Sequence, residues 1–132
     1  MKVIDPGHKY EVDVYDGKPG ATQELTFMKR EGPGYPMNVG HYPGTNCQEH
    51  LRVFIDRMHY LQMQEPCEHN LAIIEYARRM LWLFEDRAAS RHGIDQFDYR
   101  TDDIEQYESC KTCGHIICKG HNESGTGKKQ RK

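Results

Sequence analysis

Two apolar stripes at helical spacing, separated by a single proline, constrain this chain more than any other feature. In "CQEHLRVFIDRMHYLQMQEPCEHNLAIIEYARRMLWLFEDRAASRHG", residues 47–93, Leu51, Phe54, Ile55, Met58 and Leu61 recur at one-, three- and four-residue steps. After Pro66 the pattern resumes with Ile74, Ala77, Leu81, Phe84 and Ala88, broadened by Ile73, Met80 and Leu83. That period of about 3.6 residues belongs to helices with one buried face. Proline ends the first helix and is tolerated in the first turn of the second. Stripes so close in sequence must face each other, so an antiparallel helical hairpin is expected over about 46–64 and 67–92. Thr45 or Asn46 offers a cap at its start, with Gln48 or Glu49 returning the bond, and Gly93 is the expected stop.

Ahead of the hairpin the period changes to two. In "HKYEVDVY", residues 8–15, Tyr10, Val12 and Val14 alternate with charged residues, and "QELTFMKR", residues 23–30, repeats this more weakly. "DGKPGAT" between them is rich in turn residues, so the two segments predict an antiparallel pair packed on the helices. "EGPGYPMNVGHYPGTN" then reads as a long shaped loop, either a binding element or a connector. The fold class expected is α+β: a small N-terminal antiparallel sheet followed by a long antiparallel helical hairpin, with a Cys/His-rich C-terminal tail. Residues 1–93 form the sheet-plus-hairpin domain, 94–121 an acidic linker and zinc knuckle, and 122–132 a disordered basic tail.

Among 132 residues, 29% are charged, so apolar side chains must be concentrated where the stripes are. A net charge of -2 supplies no global basic field, and nucleic acid is not the expected partner. No stretch approaches the length of a membrane span and "MKVIDPGHKY" lacks a signal-peptide core, so a cytoplasmic protein is expected. Five cysteines, three of them between 110 and 118, suit reduced thiols or a metal better than a disulfide framework.

Helical-wheel arithmetic places Trp82 among Glu75, Arg78, Glu85 and Asp86, away from the core stripe. An exposed tryptophan there is either a protomer contact or a platform for base stacking. Arg57 and Tyr60 lie with Val53 on the back of the first helix, where a solvated face and a second buried contact are both open. Arg87 and Arg91 fit a helix C-terminus by their charge. In "CKTCGHIICKGH", Cys110, Cys113, Cys118 and His121 have paired spacings suited to one structural zinc, with His115 in reserve; an exposed reduced tail is the alternative. "SGTGKK" lacks the spacing and flanking strand of a phosphate loop. No nucleophile and base stand at a recognisable spacing, so a non-enzyme is expected.

Residues 44–91 resemble the helical hairpin shared by phage anti-CBASS and anti-Thoeris nucleotide sponge proteins. The likeness lies in "QEHLRVFIDRMHYL", the junction "PCEHN" and the ending "EDRAASR", and covers about a third of the chain. The strands before it are similar to the Thoeris-inhibiting branch. The resemblance implies a homo-oligomer, dimer or hexamer, that sequesters cyclic ADP-ribose isomers or cyclic oligonucleotides in the host cytoplasm without cleaving them. It implies ligand roles for Arg57, Trp82, Phe84 and Arg91, to which Tyr60, Arg87, Arg30 and Tyr35 are added as candidate contacts. The cysteine-rich tail lies outside this pattern. A zinc-knuckle adaptor that binds nucleic acid or protein through its tail is the alternative function.

Overall fold

Alternation of side chains at the N-terminus does produce a sheet, with one strand more than the pattern predicts. The computed structural model describes residues 1–35, 42–93 and 104–116. Strands β1 (Lys2–Asp5), β2 (Lys9–Asp13) and β3 (Thr22–Thr26) form an antiparallel sheet in the order β1-β2-β3. β2 and β3 pair from Lys9↔Thr26 to Asp13↔Thr22 in unbroken register, while β1 slips between Val3 and Asp5. β1 is too short for its alternation to stand out in the sequence.

The described end of the loop after β3 carries more backbone pairing than its prolines and glycines predict. Beyond the strand, Phe27 bridges Thr45 and Lys29 bridges Tyr42, so the described end of the loop returns along β3. Gly44 permits this approach: a Cβ there would collide with the backbone of Phe27 and Met28. Asp5 ties the same region together, accepting hydrogen bonds from Tyr42 Oη at 2.5 Å and Lys29 Nζ at 2.9 Å. Those two bonds hold the Asp5 carboxyl below the usual carboxylate range, and the same carboxylate raises the Tyr42 phenol.

Helix α1 spans Cys47–Gln64 and α2 spans Glu68–Arg91, as the stripes predict. His92 caps α2 through its N–H to the carbonyls of Ala88 and Ala89, and Gly93 follows with φ 71°, the left-handed stop expected. Gln48 does not return a capping bond; its side chain is buried and turned to His115. The helices run antiparallel and pack through Ile55 and Leu51 of α1 on Ala77, Leu81 and Ala89 of α2. A third element completes this core. Residues 104–116, beginning with a 3-10 turn at Ile104–Gln106, lay Ile104 and Ile116 into the same cluster, with Tyr107 against its edge.

That third element corrects the helical faces. Phe54, Ile73, Met80 and Leu83 were expected in the stripes but are exposed, and Phe84 is only half-buried. Glu85 and Ala89 are fully buried instead. The buried face of α2 is turned toward the side that residues 104–116 cover. Val53 and Tyr60 on α1 are exposed within the single chain. The chain divides into two units, Met1–Cys47 and the residues from Gln48 onward. No described residue of 1–47 is fully buried, whereas the second unit holds the apolar cluster. Among the described residues no helix is long and apolar enough to cross a membrane.

Candidate functional site

Charged residues on facing sides of the hairpin build its polar interior. α1 presents Arg52, Asp56 and His59, α2 presents Arg78 and Glu85, and the 3-10 turn adds Glu105. Arg52, Ile55, Asp56, His59, Arg78 and Glu105 line a groove of about 470 Å³. Arg78 donates Nε at 2.9 Å and Nη2 at 2.6 Å to one oxygen of Glu105, with His59 Nε2 3.7 Å from that oxygen. This fork anchors the turn to α2.

Glu85 sits deeper, with no exposed surface. One carboxylate oxygen accepts the backbone N–H of Ile116 at 2.8 Å, and the other lies 3.7 Å from Arg52 Nη2. Arg52 also approaches Glu49 at 3.8 Å, but its three guanidinium nitrogens are buried without a hydrogen bond among the described residues. Burial pushes the Arg52 pKa down, and the two carboxylates oppose that shift. The pair is therefore held mainly by Coulomb attraction in a dry setting, where charge without a partner is costly.

His115 closes the network. Its Nδ1 accepts a hydrogen bond from Gln48 Nε2 at 2.7 Å, which fixes the neutral ring with its proton on Nε2. Burial pushes its pKa down to about 4, and the charges of Arg87, Arg91, His92 and Arg52 act in the same direction. Glu85, 3.9 Å away, is the opposing charge. A folded pKa below the ordinary 6.5 means the unfolded chain binds the extra proton first. The stabilisation from neutral His115 is complete above about pH 6.5 and is lost as the pH falls toward 4. Urea unfolding at pH 7 and pH 4.5 should show His115→Asn losing roughly 2 kcal/mol less over that interval than the parent chain. Equal losses in the two proteins would show that another group carries the acid sensitivity.

The ligand residues expected from sequence do not gather in this groove. Arg57 and Tyr60 stand exposed on the outer face of α1, the guanidinium carbon 5.4 Å from the ring centroid. Phe84 carries Arg87 over its ring at 5.0 Å, and Arg91 is exposed in the last turn. Trp82 corrects its expected position: it is partly buried against the apolar cluster, with Arg79 5.9 Å from its ring. The charged side of α2 on which it was placed is the side that receives residues 104–116. Arg30 and Tyr35 belong to the N-terminal unit, Tyr35 exposed and Arg30 half-buried.

Of the four expected zinc ligands, Cys110 and Cys113 are buried in a tight turn where Gly114 N–H donates to the Cys110 carbonyl at 2.8 Å. Cys118 and His121 lie outside the described residues. Among the described residues no three His, Cys, Asp or Glu side chains are placed to hold a metal. His115, the reserve ligand, is engaged by Gln48.

The sequence pattern singles out neither Arg52 nor Glu105, and it brings in Gln48 only as a capping partner and Glu85 only as a neighbour of Trp82. A signal existed for Glu85. It follows Leu81 by four residues and Ala77 by eight, which puts a carboxylate inside the apolar stripe and calls for a buried partner. Glu105 had no such signal, because its partner is 27 residues away. In comparison with known proteins, the chain matches no protein-family model, no curated protein and no solved structure.

Proposed function

We propose that this protein is a non-catalytic binder that sequesters a cyclic signalling nucleotide, as a homo-oligomer and without cleaving its ligand, in the manner of phage anti-defence sponges. The observation that carries the reading is the set of arginine–aromatic pairs on the helices: Arg57 with Tyr60, Arg87 with Phe84, and Arg79 with Trp82. A nucleotide needs donors for its phosphates and a flat face for its base, and a guanidinium beside an aromatic ring offers both.

The charge balance favours these helical faces over the inner groove. Within the groove Arg52 and Arg78 are matched by Glu85 and Glu105, so a phosphate would meet little uncompensated positive charge. Arg57, Arg79, Arg87 and Arg91 make no ion pair among the described residues. Of the expected contacts, Arg57 and Tyr60 are the cleanest probes, because both are exposed and their removal leaves the apolar cluster intact. Trp82 is a poorer one, since truncating it also strips packing from that cluster.

The test is calorimetry with purified protein and a panel of cyclic ADP-ribose isomers and cyclic oligonucleotides, followed by heat denaturation and analysis of the released ligand. Stacking and a charged hydrogen bond are each worth roughly 1–3 kcal/mol, so Arg57→Ala and Tyr60→Ala should each weaken binding about ten- to a hundredfold. The ligand should return intact. Absence of binding across the panel, or recovery of a hydrolysed product, would remove this reading.

A further inference from the structure

We propose that the outer seam of α2 is a two-fold antiparallel interface with a second copy of this chain. Ile73, Tyr76, Met80, Leu83 and Arg87 follow one another at steps of three, four, three and four residues, the spacing of a coiled-coil seam. This seam is centred about 120° around α2 from Leu81, which is fully buried. Ile73, Tyr76, Met80 and Leu83 are 38%, 71%, 50% and 54% exposed. Scattered exposed apolar residues need no explanation, but four in register along one helix form a continuous strip of the kind that marks an interface.

The side chains select the direction of pairing. In a parallel pair Arg87 would stack against the partner's Arg87 in a central layer, with like charges in contact. In an antiparallel pair Met80 meets the partner's Leu83, and Tyr76 meets the partner's Arg87, a cation over a ring. The flanking charges agree with the second arrangement. Arg79 falls opposite the partner's Asp86 and, by the two-fold symmetry, Asp86 opposite the partner's Arg79. Neither Arg79 nor Asp86 has an ion-pair partner among the described residues. All three pairings, 80 with 83, 76 with 87 and 79 with 86, are centred within one residue of the same point on α2. That coincidence makes the seam complementary to its own reverse, and it identifies a second copy as the occupant in place of an unrelated helix.

This interface rests on the homo-oligomer part of the proposed function, but its readout is association without ligand, so its failure leaves nucleotide binding to be decided by the calorimetry. If both hold, the partner's Tyr76 joins Arg87 and Phe84, so a ligand contact would be assembled between two copies.

Sedimentation equilibrium of the full chain should give a dimer. Leu83→Asp should raise its dissociation constant by about a hundredfold or more while the far-ultraviolet circular dichroism stays unchanged, since Leu83 is half-exposed in one copy. Arg79→Glu and Asp86→Arg should each weaken the dimer about tenfold by setting like charges opposite each other. Combining them should restore the parent affinity to within about threefold, because the exchanged charges pair again in the antiparallel register. A chain that stays monomeric at high micromolar concentration, a dimer indifferent to Leu83→Asp, or a double variant no tighter than the single ones would each overturn the interface.

Discussion

Ending the chain before Ile104 should leave a hairpin that melts at least about 10 °C below the full protein and with a broader transition. Ile104 and Ile116 are fully buried in the apolar cluster that joins the helices, and their removal exposes Leu81, Ala77 and Ile55 to water. Burial of each isoleucine is worth roughly 1.5–3 kcal/mol, and the bond from Ile116 N–H to the buried Glu85 carboxylate adds about 1.5–3. Releasing the segment returns chain entropy and offsets much of this, so a net loss of about 2–4 kcal/mol is expected. Ile104→Ala and Ile116→Ala should each cost about 2–5 kcal/mol through the cavity they leave. Thermal melts followed by circular dichroism decide the matter. A truncated hairpin with unchanged midpoint and cooperativity would make the segment a passenger.

Arg52→Met should cost about 3–5 kcal/mol, because it removes the guanidinium that lies 3.7 Å from the fully buried Glu85 carboxylate. The effect should be conditional on that carboxylate. Glu85→Gln keeps an oxygen to accept the N–H of Ile116 but removes the charge, so the double variant Arg52→Met/Glu85→Gln should recover about 2–3 kcal/mol relative to the sum of the single changes. Urea unfolding of the four proteins measures this coupling. Additive losses would show that Arg52 contributes by packing its aliphatic stem and not by its charge.

Much of the architecture was legible from residue order. The stripes of α1 and α2 and the break at Pro66 fixed both helices to within a residue or two, since that information is local. β2 and β3 were equally readable from their alternation. β1 was not, because four residues offer too few periods, and neither was the return of Tyr42 and Thr45 along β3, which depends on pairing between distant residues and on a glycine small enough to permit it.

The candidate contacts divide along the same line. Residue order alone determined which arginines and aromatics lie three or four positions apart on one helix, so Arg57 beside Tyr60 and Arg87 beside Phe84 follow from helical geometry. It could not determine which face of α2 water would touch. Wheel arithmetic knows only two helices, whereas this core has a third member contributed by residues 104–116. Packing of Ile104 and Ile116 moved the buried face toward Glu85 and Ala89, drew Trp82 partly inward, and left Ile73, Met80 and Leu83 on the outside. Apolar burial has no direction of its own. The sequence determined how much apolar surface the helices carry, and the tertiary structure decided which part the chain covers itself and which part it leaves exposed.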